Sequence, residues 1–248
     1  AALLVLALVL PARHLTAGRP AQGAPRAAEP AVARTADRPD FGAACRTAAP
    51  YFAVALLSGP SSDGEPGAPA PDDPAIVAFG GPSPAADGAE ETGEPLTLAT
   101  RGQVGDVYGL GTDASRGHLY AAAYLRVGGS YGPGGPGQIY RLDLASGAVE
   151  PWASLPAGPD RHGEADGGAL WVGRTGLGDL DVDADAGELH VVNLYDRRVY
   201  RLALPDGALL GSFRHGGQNQ PYGLDMRPFG LGVSDGWVYH GETNGQES

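Results

Sequence analysis

The sequence predicts an all-β fold, and more narrowly a β-propeller, from an internal repeat, alternating strands and regularly spaced turns. One copy of the repeat begins Tyr108-Gly-Leu-Gly-Thr-Asp113 and contains Gln138-Ile-Tyr-Arg-Leu-Asp-Leu144. A second begins Gly178-Asp-Leu-Asp-Val-Asp183 and contains Arg198-Val-Tyr-Arg-Leu-Ala-Leu204, and a third begins Tyr222-Gly-Leu-Asp-Met226. Repeats of about 40–50 residues built from short strands are typical of propeller blades.

Each copy is expected to form a sheet of four antiparallel strands. In the second copy, Leu180 and Val182 alternate with aspartates, and another alternating run follows at 198–204. Asp and Gly residues at 184–187 and 205–207 predict the turns, because glycine reaches positive φ and aspartate bonds its own backbone. A β-sandwich is the alternative all-β fold, although it does not explain why the spacings recur between the copies.

The repeats account for about three blades, and the third is truncated. These blades lie near residues 106–158, 178–217 and 221–248. The apolar segments 75–79 and 95–99 are expected to be outer strands of a preceding blade, so the propeller is assigned to residues 75–248. Propellers typically have 4–8 blades. We therefore expect an incomplete propeller whose remaining blades follow Ser248.

The N-terminal region predicts export followed by a linker. Residues 1–17 match the remnant of a secretory signal peptide, because the ten apolar residues 1–10 are too few to span a bilayer. A buried element at the start of a domain is the alternative. Residues 18–74 are rich in Ala, Pro and Gly and predict a linker or disordered region, in which only the apolar run 50–57 could form a strand. We expect the protein to be secreted or at the cell surface.

The charge of the chain argues against two classes of partner. The formal net charge is −12, and the 17 basic residues are all arginine. Nucleic-acid phosphates and anionic lipids both attract clustered basic residues. We therefore expect no nucleic-acid partner and no binding to anionic membrane surfaces, and the acidity favours solubility. No membrane span is expected, because the apolar run 1–10 is too short.

The densest group of carboxylates provides the candidate metal ligands, Asp181, Asp183 and Asp185. Several oxygen ligands at alternate positions of a strand could hold Ca²⁺. Counted from Asp181, however, the sixth and twelfth positions of a helix–loop–helix calcium loop hold Ala186 and Val192 instead of Gly and Glu. An inner strand that runs into a turn explains the same pattern. No cofactor is expected, with calcium as the candidate metal, and the histidines lack zinc-ligand spacing.

One motif resembles a family of propeller enzymes. Pro221-Tyr-Gly-Leu-Asp225 is similar to the Pro-Asn-Gly-Leu-Asp motif of gluconolactonase-like proteins. Gluconolactonase-like and streptogramin-lyase-like enzymes are both six-bladed propellers of the NHL/SMP-30-like superfamily. The resemblance implies a metal ligand at the Asn, but this chain has Tyr222 there, with Tyr108 and Gly178 in the other copies. A lactonase- or lyase-like enzyme with a divalent metal at the central channel is therefore the alternative function. Its candidate residues are Asp106, Asp179 and Asp225.

Five further motifs are spread over the repeats: Gly105-Asp-Val-Tyr-Gly-Leu110, Leu119-Tyr-Ala-Ala-Ala-Tyr-Leu125, Gly132-Pro-Gly-Gly-Pro-Gly-Gln-Ile-Tyr140, Leu177-Gly-Asp-Leu-Asp181 and Val191-Val-Asn-Leu-Tyr-Asp-Arg197. Together they resemble a bacterial extracellular propeller found in surface proteins that also carry serine–aspartate-repeat B-like modules. The resemblance implies a secreted or cell-surface protein with no established catalytic residues. It favours a non-enzymatic binding or adhesion platform for a protein or glycan ligand.

The contact residues of such a platform are expected on two long loops. Propellers bind ligands where loops from several blades converge on one face, and the long loops here are 126–137 and 158–177. On these loops, Arg126, Tyr131 and Arg161 are the side chains expected to contact the ligand.

Overall fold

The computed structural model of the chain describes residues 51–57, 70–80, 95–214 and 226–244. The expected signal peptide, most of the expected linker and the candidate Asp225 lie outside the described residues. In chain order the strands are β1 (Tyr51–Ala55), β2 (Pro74–Gly80), β3 (Leu96–Thr100), β4 (Val107–Asp113), β5 (His118–Ala123), β6 (Gln138–Asp143), β7 (Val149–Ser154), β8 (Leu177–Asp183), β9 (Glu188–Asn193), β10 (Arg198–Ala203), β11 (Leu209–Arg214), β12 (Met226–Ser234) and β13 (Trp237–Asn244). A short helix α1 (Arg101–Val104) precedes β4, and a 3-10 turn spans Ala169–Trp171.

These strands form four antiparallel sheets in the described part of the chain, with neighbours in sequence order. We call them blade 1 (β1–β3), blade 2 (β4–β7), blade 3 (β8–β11) and blade 4 (β12–β13). The first strands of blades 2, 3 and 4 pack beside one another as inner strands, and β1 contacts β4. Sheets of meandering strands joined through their inner strands are the blades of a propeller. The prediction of an incomplete all-β propeller is confirmed.

Blade 1 begins earlier in the sequence than residue 75. Strand β1 lies in the apolar run 50–57, and it pairs with β2 through Tyr51 opposite Gly80. The two segments expected as outer strands form β2 and β3, the second and third strands of the sheet.

None of the helices in the described ranges is long and apolar enough to cross a membrane.

The inner strands share one irregularity that fixes how the repeat copies align. The pairing register shifts once between Val107 and Leu110 in β4, and the same shift recurs between Leu177 and Leu180 in β8. In β12 it lies between Pro228 and Leu231. A shift of this kind is a β-bulge, which bends a strand and increases its twist. The three bulges mark equivalent positions in the three blades.

This register corrects the alignment of the third copy. Its inner strand reads Phe229-Gly-Leu-Gly-Val-Ser234, which matches the first copy beginning at Tyr108 better than the run from Tyr222 does. The expected start at Tyr222 was therefore seven residues too early. The turn after this strand contains only Asp235 and Gly236, both with positive φ, as in a tight hairpin. The shorter turn moves the inner strand towards the C-terminus, which the sequence alignment did not allow for.

Apolar side chains fill the spaces between neighbouring blades. Ile76, Leu98, Val107 and Leu119 belong to a cluster that joins blades 1 and 2. A second cluster between blades 2 and 3 contains the fully buried Tyr120. Burying an aromatic or branched side chain contributes about 1.5–3 kcal/mol. The flat faces of the sheets thus hold the blades together.

Candidate binding face

Three loops meet on one side of the disc, which we call the upper face. They are the β5–β6 loop (124–137), the β7–β8 loop (155–176) and the β9–β10 loop (194–197), and a meander of antiparallel strands brings all three to the same edge. Two isolated bridges, between Gly105 and Tyr131 and between Tyr124 and Gly176, tie the first two loops to the start of the inner strands. The upper face therefore combines the two longest described loops.

Arg161 is held in place by two neighbours within the β7–β8 loop. Its guanidinium carbon lies 4.2 Å from the centre of the Trp171 ring, and its Nη1 donates to Glu164 Oε1 at 2.6 Å. The Trp171 Nε1–H donates to the other Glu164 oxygen at 2.9 Å. Cation–π stacking and a carboxylate bridge together fix all three side chains. Arg161, predicted as a contact residue, is thus pre-arranged on the upper face.

The predicted contact residue Tyr131 lies beside His162. The two rings meet edge to face with centres 4.8 Å apart, and His162 Nδ1 lies 2.7 Å from Asp160 Oδ1. Tyr131 Oη and His162 Nε2 are buried atoms without hydrogen-bond partners. Burial is the main reason that the pKa of Tyr131 is raised, and the Asp160 charge adds to it, while the nearby Thr175 hydroxyl opposes both. The Tyr131 and His162 rings thus pack where the two loops join.

Thr175 closes the β7–β8 loop at its base. This fully buried residue directs its hydroxyl at the carbonyl oxygens of Ala157 (2.9 Å) and Pro159 (3.0 Å). Gly158 adopts φ 83° there, and a Cβ at this position would lie 2.6 Å from the Tyr195 ring. Only glycine lets the β9–β10 loop pack onto the β7–β8 loop in this way. The contact places Tyr195 on the upper face.

Large apolar side chains are exposed on all three upper-face loops. In the β7–β8 loop, Leu170 is 58% exposed, and Tyr195 on the β9–β10 loop is 51% exposed. Val127 and Val172 are exposed as well. We call these four residues the upper apolar patch. They are half of the exposed large apolar side chains among the described residues, and such groupings on monomers commonly mark interaction sites.

Backbone hydrogen bonds fix the segment that presents Leu170. The carboxylate of Asp166 accepts from the Gly168 N–H at 3.0 Å and from the Leu170 N–H at 3.3 Å. These bonds hold the start of the 3-10 turn, in the way that an aspartate caps a helix. Leu170 is therefore exposed by a defined turn.

Arg126 and Asp106 have different surroundings from the other predicted site residues. Arg126 begins the β5–β6 loop, where its charge lowers the pKa of Tyr124, although burial is stronger and raises that pKa to about 12. Asp106 is fully buried and pairs with Arg101, and it accepts the Ser130 N–H at 3.3 Å. Arg101 also donates to the Leu56 carbonyl at 2.6 Å. Asp106 thus joins α1 to the β5–β6 loop, a structural role that the sequence did not reveal.

The carboxylate of Asp179 is hydrogen-bonded to the neighbouring blade. Its Oδ1 accepts the Leu180 N–H at 3.0 Å, and its Oδ2 accepts the Leu231 N–H of β12 at 3.0 Å. Burial raises its pKa to about 6, the like charge of Asp181 adds to this, and the two N–H groups oppose it. Asp179 is therefore a bridge between inner strands.

The candidate calcium ligands do not converge. Asp181 repeats the Asp179 arrangement and accepts the Val233 N–H at 2.7 Å, whereas Asp183 accepts the Ala186 N–H within its own turn at 2.9 Å. Asp185 is exposed in that turn. Across the described ranges, no group of three or more His, Cys, Asp or Glu residues is arranged to hold a metal.

Aromatic rings pack across the inner strands. The rings of Tyr108 (β4) and Phe229 (β12) lie 4.9 Å apart although blade 3 separates their strands, and Tyr124 contacts both. The equivalent position on β8 is Gly178, which leaves room for the contact. Tyr108, Gly178 and Phe229 thus occupy equivalent positions on the three inner strands.

The sequence did not predict the upper apolar patch, although it contained a signal. Leu170-Trp-Val172 is an apolar triplet between Gly167-Gly168 and Gly173, inside an otherwise polar loop. Apolar residues in such a run are usually assigned to a buried strand. With Ala169, the apolar run between the glycines has four residues, which is short for a strand, and the structure places it at the surface.

Comparisons with known proteins do not establish a family. No protein-family model matches the chain. Colossin-D of Dictyostelium discoideum is 27% identical over 165 residues, which cover 61% of this chain and 18% of that protein. The chain thus spans less than a fifth of this relative's length.

Two solved structures show the range of similar folds. The calcium-binding protein regucalcin of Agrobacterium tumefaciens is 11% identical with a TM-score of 0.35, and the match covers 64% of this chain and 40% of that one. An inactive virginiamycin B lyase of Staphylococcus aureus is 12% identical with a TM-score of 0.33, covering 66% and 47%. At these scores the similarity says nothing about activity. From its own sheet order and inner-strand packing, the chain is part of a β-propeller.

Proposed function

We propose that this chain is a non-enzymatic binding module that holds a partner protein on the upper apolar patch, outside the cell or at the cell surface. The observation that carries the proposal is the exposure of Val127, Leu170, Val172 and Tyr195 on three loops of one face. Proteins bind one another through central apolar and aromatic contacts surrounded by polar groups. The patch has this composition, with Arg161 at its edge.

The surroundings of the patch favour tight binding because they reduce the entropy lost on association. Asp166 fixes the turn that presents Leu170, and Glu164 with Trp171 fixes Arg161. Ordering a flexible side chain at an interface costs about 0.5–1.5 kcal/mol. The partner meets groups that are already in place.

The aliphatic side chains favour a protein over a glycan as the ligand. Sugars offer a dense array of hydroxyl groups, which pair with polar side chains and stack on aromatic rings. Leu170 and Val172 offer neither, and covering them with hydroxyl groups would leave those groups without hydrogen bonds. A partner with an apolar surface satisfies both sides of the contact.

The ion pair of Asp106 and the hydrogen bonds of Asp179 support a binding role over the enzymatic alternative. Asp106 pairs with buried Arg101, and Asp179 accepts two backbone N–H groups. Each carboxylate is held by its own structural contacts. The observed geometry therefore favours binding.

Binding of purified extracellular matrix proteins and of a glycan array, compared between two matched variants, tests the proposal. Leu170→Glu changes the patch, and Leu209→Glu changes an equally exposed leucine (58% in each case) on the outer strand β11. We expect a matrix protein to bind the unchanged chain, and Leu170→Glu to weaken that binding by roughly 30-fold or more, as at interface hot spots. Leu209→Glu should bind normally.

Two results would contradict the proposed function. Equal binding by both variants would show that the contact lies elsewhere on the chain. Binding to glycans alone, unchanged by Leu170→Glu, would show that the ligand is a sugar recognised by another surface. Circular dichroism of each variant checks that both remain folded.

A further inference from the structure

Strand β1 runs in the opposite direction to the inner strands of blades 2 and 3. The inner strands β4 and β8 start at the upper face, where the loops of that face form bridges to Gly105 and Gly176. Strand β1 ends at the upper face, because the carbonyl of Leu56, directly after β1, accepts from Arg101, which also pairs with Asp106 just before β4. Strand β1 is therefore not an inner strand of the same kind as β4 and β8.

The position of β1 is that of a second strand. Strands β5 and β9, the second strands of blades 2 and 3, also run towards the upper face, and they contact the inner strands of the next blades, β8 and β12, as β1 contacts β4. The run Tyr51-Phe-Ala-Val-Ala55 is similar to Leu119-Tyr-Ala-Ala-Ala123 of β5. Among the described strands, β1 pairs only with β2. The described part of blade 1 thus begins with its second strand.

One leucine of β4 faces the place of the inner strand of blade 1. In blades 3 and 4 the leucine after the bulge lies on the inner strand of the preceding blade. The Leu180 side chain is 2.6 Å from the place of a Cβ at Gly111, and the Leu231 N–H donates to Asp179. The equivalent leucine of β4 is Leu110, which is 3% exposed and belongs to the core between blades 1 and 2. By the same geometry, we expect a strand with a small residue beneath Leu110.

The residues just before β1, which lie outside the described ranges, have the sequence of such a strand. Phe41-Gly42 repeats Tyr108-Gly109 at the start of β4 and Phe229-Gly230 in β12. The aromatic residue of the second strand follows twelve positions later in blade 2 and ten in blade 4, and Phe52 follows Phe41 by eleven. The spacings in blades 2 and 4 differ only through the turn between the two strands, so a spacing of eleven fits the same hairpin.

We propose that residues 41–45 of this chain are the inner strand of blade 1. They pair with β1 on the edge opposite β2 and pack against β4. The occupant comes from this chain because blades 2, 3 and 4 each take their inner strand from the stretch just before their second strand. The proposal extends the propeller into the region 18–74, which composition predicts as a linker or disordered region.

Small residues at two positions make this packing possible. A Cβ at Gly109 would lie 2.6 Å from a backbone nitrogen of β8, closer than real Cβ atoms come, so β8 packs on β4 only because this residue is glycine. Gly42 occupies the same place in the proposed strand, next to the backbone of β4. Ala44 corresponds to Gly111, and its single methyl group lies beneath Leu110. The interface between blades 1 and 2 is thus of the same kind as that between blades 2 and 3.

Three glycine-to-alanine variants of the 248-residue chain test this proposal. Gly109→Ala places a Cβ against the backbone of β8 and should lower the melting midpoint by roughly 4–10 °C. Gly42→Ala should lower it by a similar amount, whereas Gly23→Ala, outside the proposed strand, should leave it unchanged. Equal midpoints for Gly42→Ala and the parent would overturn the proposal.

Hydrogen exchange of the unchanged chain, followed by mass spectrometry, gives a second measurement that needs no variant. The amides of residues 42–45 should exchange roughly tenfold or more slowly than those of residues 20–37, because a strand paired with β1 must open before it exchanges. Equal exchange in the two segments would contradict the proposal. So would a chain that dimerises while residues 42–45 exchange freely, since a second copy would then cover β4.

Discussion

Substitution of Asp179 by asparagine should stabilise the protein at neutral pH relative to its effect at pH 4. The carboxylate is largely buried between β8 and β12, and burial raises its pKa to about 6 in the folded protein from the ordinary value of 3.8. The folded state therefore holds this proton more tightly than the unfolded state does. Its contribution to stability is complete below about pH 4 and is lost as the pH rises through 6.

The size of the effect follows from the difference between the two pKa values. At 1.36 kcal/mol per pKa unit, it corresponds to roughly 3 kcal/mol, and residual solvent contact reduces this to about 1–3 kcal/mol. Asparagine keeps an oxygen that can accept the Leu231 N–H and has no charge, but its NH2 group cannot accept the Leu180 N–H, which costs the same at every pH. The unfolding free energy of Asp179→Asn relative to the parent should thus rise by about 1–3 kcal/mol between pH 4 and pH 7.5.

Urea unfolding followed by circular dichroism at pH 4, 6 and 7.5 measures this gain. Asp185→Asn, an exposed carboxylate in the following turn, is the matched control and should change stability little at any pH. Asp179→Ala should be less stable than Asp179→Asn, because it leaves the Leu231 N–H without its acceptor. The reasoning is refuted if the unfolding free energy of Asp179→Asn differs from that of the parent by the same amount at every pH.

Two further predictions concern the ion pairs of Arg101 and Arg161. Arg101→Ala should lower the unfolding free energy by about 3–5 kcal/mol because it leaves Asp106 buried without its cation, whereas Arg141→Ala, at a more exposed ion pair, should cost about 1 kcal/mol or less. Comparable losses in urea unfolding would contradict the role given to Asp106. Glu164→Ala should release Arg161 from its fixed position and speed trypsin cleavage after it several-fold, while cleavage at Arg141 within β6 stays unchanged. Equal cleavage rates at Arg161 in parent and variant would show that Glu164 does not hold the loop.

The fold could be predicted because it depends on local patterns that repeat. Alternation at Leu180 and Val182 and the turn signals at 205–207 are properties of neighbouring residues, and they gave strands and turns where the structure has them. The inner strand of blade 4 was misplaced because Tyr222-Gly-Leu224 repeats the start of the first copy, and the turn at Asp235, with two residues where the other copies have four, accounts for two of the seven residues. A change in turn length is visible only once strand pairing is known.

The candidate site was less predictable, because burial depends on distant parts of the chain. Tyr131 and Arg161 were expected on exposed loops, and the structure places both on the upper face. Asp106 could not be recognised as structural, since its surroundings include Leu56, whose carbonyl binds the same arginine from fifty residues upstream. The exposure of Leu170 was equally hidden, because apolar residues are usually buried and only the packing of the loop shows otherwise.

The inner strands are joined in two different ways, so the interfaces between neighbouring blades differ in chemical character. Glycines 109 and 111 make a dry contact in which backbones touch, and its strength comes from close packing that does not respond to pH. The aspartates of β8 make a polar contact, in which their carboxylates accept backbone N–H groups of β12. Substitutions that remove these carboxylates would therefore loosen blade 4 from blade 3, while the packing of blade 3 on blade 2 stays intact.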